Sequence, residues 1–124
     1  MLLADTSVWV DHLRKSDPRL QQALLDDQIL MHPFVLGELA CGSMHRRASI
    51  LSDLGGLPLA ISAEHEEVLE FLERHRLYGK GIGWVDAHLL ASAALTRCRL
   101  WTHDSRLGNA ATSLKLGLKF GPNN

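Results

Sequence analysis

The sequence has little of several things that would announce a chemistry. Its two cysteines, Cys41 and Cys98, lie far apart at no C-x-x-C or zinc-ligand spacing, so neither a thiol redox motif nor a cysteine zinc site is available. Cys41, set among Leu39, Ala40 and Gly42, is expected as a small buried apolar residue. No apolar run is long enough for a membrane span, because Asp86 interrupts the longest one. The chain opens on the apolar residues Met1-Leu2-Leu3-Ala4 with no basic stretch and no cleavage signal, so a reducing cytoplasm is the expected compartment. Charge of either sign is not in excess: 13 lysines and arginines stand against 14 acids, for a formal net charge of −1 and a pI near 6.6. Such a balance exerts no global pull on nucleic acid, and any binding of that kind must use local patches. The paired bases Arg14-Lys15, Arg46-Arg47, Arg74 with Arg76 and Arg97 with Arg99 are first of all solvated helix ends. A Gly-x-Ser-x-Gly elbow and a glycine-rich loop ending in Lys-Ser/Thr are both missing, which excludes those two routes to acyl and phosphoryl chemistry.

What is present is an ordinary globular composition, 46% hydrophobic and 22% charged. No linker, repeat or low-complexity tract divides it, and residues 1–124 are expected to form one domain with a core of its own. Apolar runs predict strands at Met1 to Ala4, Gln28 to Met31 and Cys98 to Trp101, with weaker ones at Leu57-Pro58-Leu59, where the proline argues for a sheet edge, and at Lys115 to Phe120. Helices are expected from Thr6, from Pro18 after Ser16-Asp17, from Pro33 to about Cys41, and from Arg47 to Leu54. A longer one follows Ser62, with Ser62 as its cap and Val68, Leu69, Leu72 and Leu77 facing inward. Trp84 to Leu95 reads as a buried helix and Asp104 to Ala111 as a short one. Strands alternating with helices indicate an α/β fold with a parallel sheet covered on both faces.

Four acids are placed against the grain of this pattern. Asp5 ends the first apolar run, Glu38 is the only charge between Pro33 and Met44, Asp86 is the only charge between Gly81 and Thr96, and Asp104 closes Leu100-Trp101-Thr102-His103. No lysine or arginine adjoins any of them. Buried carboxylates are costly unless paired or bound to a cation. Two of them about 5 Å apart repel by about 3 kcal/mol at an effective dielectric of about 20. A divalent metal relieves that repulsion, and hard carboxylate oxygens favour Mg²⁺ or Mn²⁺ over zinc. In a parallel sheet, ligand sites lie at the carboxyl ends of the strands, where Asp5 and Asp104 fall and toward which the helices bearing Glu38 and Asp86 can present their acids.

Each acid also has a plainer role open to it. Asp5 and Asp104 suit helix caps, Ser7 is a natural local partner for Asp5, and Glu38 fits an exposed helix face. Asp86 has the weakest alternative, since its helix offers almost no polar side. His88 lies about 200° around the helix from Asp86, and His103 alternates with Asp104, so neither histidine is expected to join them. A phosphatase-type pair needs a second acid two residues after Asp5, where Ser7 stands.

With these residues in hand, the chain closely resembles the PIN-domain ribonucleases, in particular the VapC-type toxins of bacterial and archaeal toxin–antitoxin pairs. The resemblance rests on Leu3-Ala4-Asp5-Thr6-Ser7-Val8-Trp9, Gly37-Glu38-Leu39-Ala40-Cys41-Gly42, Gly83-Trp84-Val85-Asp86-Ala87-His88-Leu89-Leu90-Ala91-Ser92-Ala93 and Leu100-Trp101-Thr102-His103-Asp104-Ser105-Arg106-Leu107. It implies a three-layer α/β/α sandwich around a mainly parallel sheet of four to five strands. It implies that Asp5, Asp86 and Asp104 hold Mg²⁺ or Mn²⁺, directly or through water, with Glu38 completing the site or holding a second ion. Ser7 and Thr102 match the family's supporting polar positions. It further implies a homodimer, an RNA substrate, and a cognate antitoxin whose C-terminal segment covers the acidic pocket and provides most of any DNA contact. The low pI departs from what a strong general RNA binder shows, which points to a narrow substrate.

The activity expected on these grounds is metal-dependent endoribonuclease cleavage of RNA phosphodiester bonds. Arg106, just after Asp104, is the basic residue best placed to seat a flanking phosphate. The competing expectations are a metal-dependent DNA nuclease or phosphatase on a similar sheet, and a catalytically silent binding module.

Overall fold

The structure, a computed structural model, describes residues 1–118. The first strand, β1 (Leu2–Ala4), is central, paired in parallel to β2 (Ile29–Leu30) on one side and β3 (Arg99–Trp101) on the other. Leu3 faces Leu30 across one ladder and Leu100 across the other, so three apolar residues meet where the sheet is most buried. The helices, in chain order, are α1 (Thr6–Arg14), α2 (Pro18–Leu25), α3 (Pro33–Cys41), α4 (Arg47–Gly55), α5 (His65–Arg74), α6 (Trp84–Thr96) and α7 (Ser105–Ser113).

Their starts follow from local chemistry. Proline occupies the first turn of α2 and α3, where a missing N–H costs nothing. Asp17 caps α2 by accepting the N–H of Arg19 at 2.9 Å. The imidazole of His32 does the same for α3, its Nδ1 accepting the N–H of Phe34 at 3.0 Å. Helix α6 buries every residue from Ala87 to Ala93, as its nearly continuous apolar sequence requires. Trp9, Met31, Leu90 and Leu107 close the core around the sheet. Among the described residues, no helix is long and apolar enough to cross a membrane.

The sheet corrects the expectation of four to five strands, for three are formed among the described residues. The segments expected as outer strands touch it through one parallel bridge each, Met31 with Leu59 and Leu100 with Gly117. Pro58 explains the first. Its carbonyl accepts from Met31 N–H at 2.8 Å and Ala60 N–H donates to Met31 O at 2.9 Å, but Pro58 has no N–H with which to extend the ladder back toward Ile29. On the other edge, Leu100 N–H donates to Leu116 O at 2.7 Å and Leu118 N–H to Leu100 O at 3.3 Å. Residues 119 and 120 of that expected strand lie outside the described residues.

Three smaller expectations also give way. Helix α5 is capped at Glu64, whose N–H donates to Glu67 Oε1 at 2.8 Å, and not at Ser62. It ends at Arg74, so Leu77 is buried from the following turn, while Leu69 faces solvent. Cys41 is exposed at the last residue of α3, where apolar neighbours in sequence do not amount to cover in space.

Candidate active site

The strand order β2-β1-β3 sends the chain first to one side of β1 and then across to the other. Between β1 and β3 the direction of winding reverses, and at such a point the carboxyl ends of the strands leave an open crevice. Asp5 follows β1 directly, and its N–H donates to Trp101 O at 2.9 Å, which ties the ends of β1 and β3 together. Asp104 leaves the end of β3 through Thr102 and His103. Glu38 comes from α3, and Asp86 from the first turn of α6. The structure places all four around one cavity of about 190 Å³, whose other lining residues are Thr6, Ser7 and Leu89.

The burial of Asp5, 5% exposed, is compensated oxygen by oxygen. Its Oδ1 accepts from the N–H groups of Ser7 at 2.9 Å and Val8 at 3.4 Å, and from the Ser7 hydroxyl. Its Oδ2 accepts from Thr102 Oγ1 at 2.6 Å. Both hydroxyls then receive the backbone of the β3 exit: His103 N–H donates to Ser7 Oγ and Asp104 N–H to Thr102 Oγ1, each at 3.0 Å. The cap role of Asp5 and its place in the cavity are therefore one arrangement. Asp104 likewise does both, its Oδ1 accepting the N–H of Leu107 at 3.0 Å at the start of α7. Sequence reading assigned no role to Thr6, whose hydroxyl donates to Glu38 Oε1 at 2.5 Å. A threonine beside an aspartate reads as local chemistry, and no sequence signal ties residue 6 to residue 38.

Asp86 shows that the acids feel one another. Burial raises its carboxyl above the usual carboxylate range, and the charges of Asp104, Asp5 and Glu38 push it further. The N–H of Gly83, which donates to Asp86 Oδ2 at 3.0 Å, opposes the rise. His103 turns away from the cavity to meet Asp11, Nδ1 to Oδ2 at 2.5 Å, and His88 packs between the rings of Phe34 and Trp84. Arg106 does not line the cavity. Its side chain lies over Gly81 in the turn leading to α6, so close that a Cβ there would stand 2.7 Å from Arg106 Cδ.

The donor set suits a hard divalent cation. Glu38, Asp86 and Asp104 each keep one carboxylate oxygen without a protein hydrogen-bond partner among the described residues. As the side chains stand, no group of three or more His, Cys, Asp or Glu among the described residues is arranged to hold an ion. Water or a change of rotamer would have to complete the coordination, which suits Mg²⁺ with its reluctance to dehydrate.

Residues 2–112 match the PIN domain family. The chain belongs to that family. It is similar to Ribonuclease VapC32 from two strains of Mycobacterium tuberculosis, each 46% identical over 119 residues that cover 95% of this chain and 96% of the relative. This is a PIN domain of the VapC type.

Proposed function

We propose that this PIN domain is a Mg²⁺- or Mn²⁺-dependent endoribonuclease that hydrolyses RNA phosphodiester bonds as the toxin of a toxin–antitoxin pair. The observation that carries the reading is the convergence of Asp5, Glu38, Asp86 and Asp104 on one cavity at the strand ends. The near full-length similarity to relatives named as ribonucleases supports the same chemistry. A cognate antitoxin covering the acidic cavity, a homodimer and a cytoplasmic setting belong to the proposal.

In this reading Asp5, Asp86 and Asp104 hold the ion, directly or through water. The chemistry such an ion supplies is a lowered pKa at water and compensation of charge building on the phosphoryl oxygens. Glu38, fixed by Thr6, is oriented to accept a proton from the attacking water and so acts as general base. Ser7 and Thr102 hold Asp5 so that its oxygens are in place before substrate arrives, a preorganisation that removes a cost from the reacting state. Arg106 seats a phosphate flanking the scissile bond.

Asp5→Asn tests the reading. With Mn²⁺, the parent chain is expected to cut single-stranded RNA in preference to DNA or a small phosphoester, and the variant to lose cleavage while keeping its circular dichroism. Full activity in the variant removes Asp5 from the mechanism, and cleavage of DNA or the phosphoester in preference to RNA replaces the proposed substrate.

A further inference from the structure

Aromatic rings pack on one another in a continuous row that joins α3, α5 and α6. His65 packs on Trp84 with centroids 5.0 Å apart, Trp84 on His88 at 4.7 Å, His88 on Phe34 at 4.5 Å, and Phe34 on His32 at 5.2 Å. The row is rigid from within. His88 is 6% exposed and His32 is 1% exposed, and His32 also accepts the Phe34 N–H. At the surface, Phe34 is 39% and Trp84 38% exposed, two large rings held open to solvent on a buried histidine between them.

The helices that carry the two exposed rings also carry two of the cavity's acids. Phe34 and Glu38 are four residues apart on α3 and so share a face, one turn from each other. On α6, Trp84 and His88 share one face and lie about 200° around the helix from Asp86, so on that helix the rings and the acid occupy different sides. Electrostatics alone does not account for how this molecule would hold a polyanion, since the net charge is −1 and the cavity is lined by four acids. Stacking on an aromatic surface supplies affinity that needs no positive charge, and it is available to any unpaired base.

We propose that Phe34 and Trp84 form a nucleobase platform that stacks bases of single-stranded RNA beside the cavity and positions the strand for cleavage. The proposal rests on the ribonuclease reading for its substrate, but its test does not depend on cleavage. Trp9 and Trp101 are buried at 1% and 2% exposure, so of the three tryptophans only Trp84 meets solvent. A base-dependent quench that disappears in Trp84→Leu is therefore assigned to this ring and not to the two buried ones.

The full chain in EDTA is titrated with a short single-stranded RNA and with a ribose-phosphate chain of equal length that lacks bases. The RNA is expected to quench the emission and the baseless chain to leave it unchanged. Trp84→Leu should abolish the quench, and Phe34→Leu should weaken RNA binding roughly tenfold, with Phe34→Tyr restoring it. In the Mn²⁺ assay the same Phe34→Leu change should raise KM with kcat retained. Equal binding of the baseless chain, or unchanged binding in Phe34→Leu and Trp84→Leu, overturns the platform. So does a shift of these variants to a smaller assembly in sedimentation with RNA affinity per chain unchanged, because the row is then a contact between protein chains. Base-dependent quenching in a chain that cuts no RNA removes the ribonuclease reading and leaves the platform standing. Cleavage that ignores both ring substitutions does the reverse.

Discussion

At the scale of single residues, the acids of this site live in two different states. Asp5 is stabilised on both oxygens by hydroxyls and amides, whereas Asp86 is half-buried with one N–H in its favour and three negative neighbours against it. Removing the charge at Asp86 should therefore stabilise the metal-free fold. Asp86→Asn, which keeps an acceptor for Gly83, is expected to raise Tm in EDTA by about 4 °C, on the order of 1 kcal/mol, while abolishing cleavage. A lower Tm would mean that repulsion at this residue is slight. Gly81 offers a second test, because Arg106 lies across it and its φ of +78° disfavours a side chain. Gly81→Ala and Arg106→Gln should each raise KM for RNA about fivefold, about 1 kcal/mol, and the double variant should be no worse than either. Additive effects would show that the two residues act separately. The four acids were legible in the sequence because a carboxylate within an apolar run has few reasons to be there. Thr6 was not, because its partner is 32 positions away. Cys41 misled for a related reason, since sequence neighbours do not reveal which side of a helix end meets solvent.

At the scale of elements, helix starts were readable wherever proline or aspartate supplied the signal, as at α2 and α3, and misread where two acids competed with a serine, as at α5. One outer strand was overcounted because apolar residues near a sheet do not make a ladder when a proline interrupts it, as Pro58 does. The cap of α3 has a further consequence. Burial, with a smaller contribution from His88, lowers the pKa of His32 to about 4, so the folded chain holds it neutral with Nδ1 accepting from Phe34. In the unfolded chain the same group titrates near 6.5. The stability from this residue is therefore complete above pH 6.5 and is lost as pH falls toward 4, by up to about 3 kcal/mol. His32→Asn retains a capping side chain but not the titration. Its thermal midpoint should fall less steeply between pH 6.5 and 4 than that of the parent chain. Parallel curves would show that other groups govern acid stability.

At the scale of the whole molecule, the central position of β1 gathers residues from positions 5, 38, 86 and 104 into one place. The sequence made a parallel α/β sheet legible through its alternation, but the order of the strands, which creates the crevice, follows from packing that no single segment encodes. The most direct test of the account is a calorimetric titration of Mn²⁺ into the parent chain and into Asp5→Asn and Asp104→Asn, each folded by circular dichroism. Saturable binding by the parent, severely weakened in both variants, is the expected result. Absence of binding by the parent chain, or equal binding by all three, would contradict it.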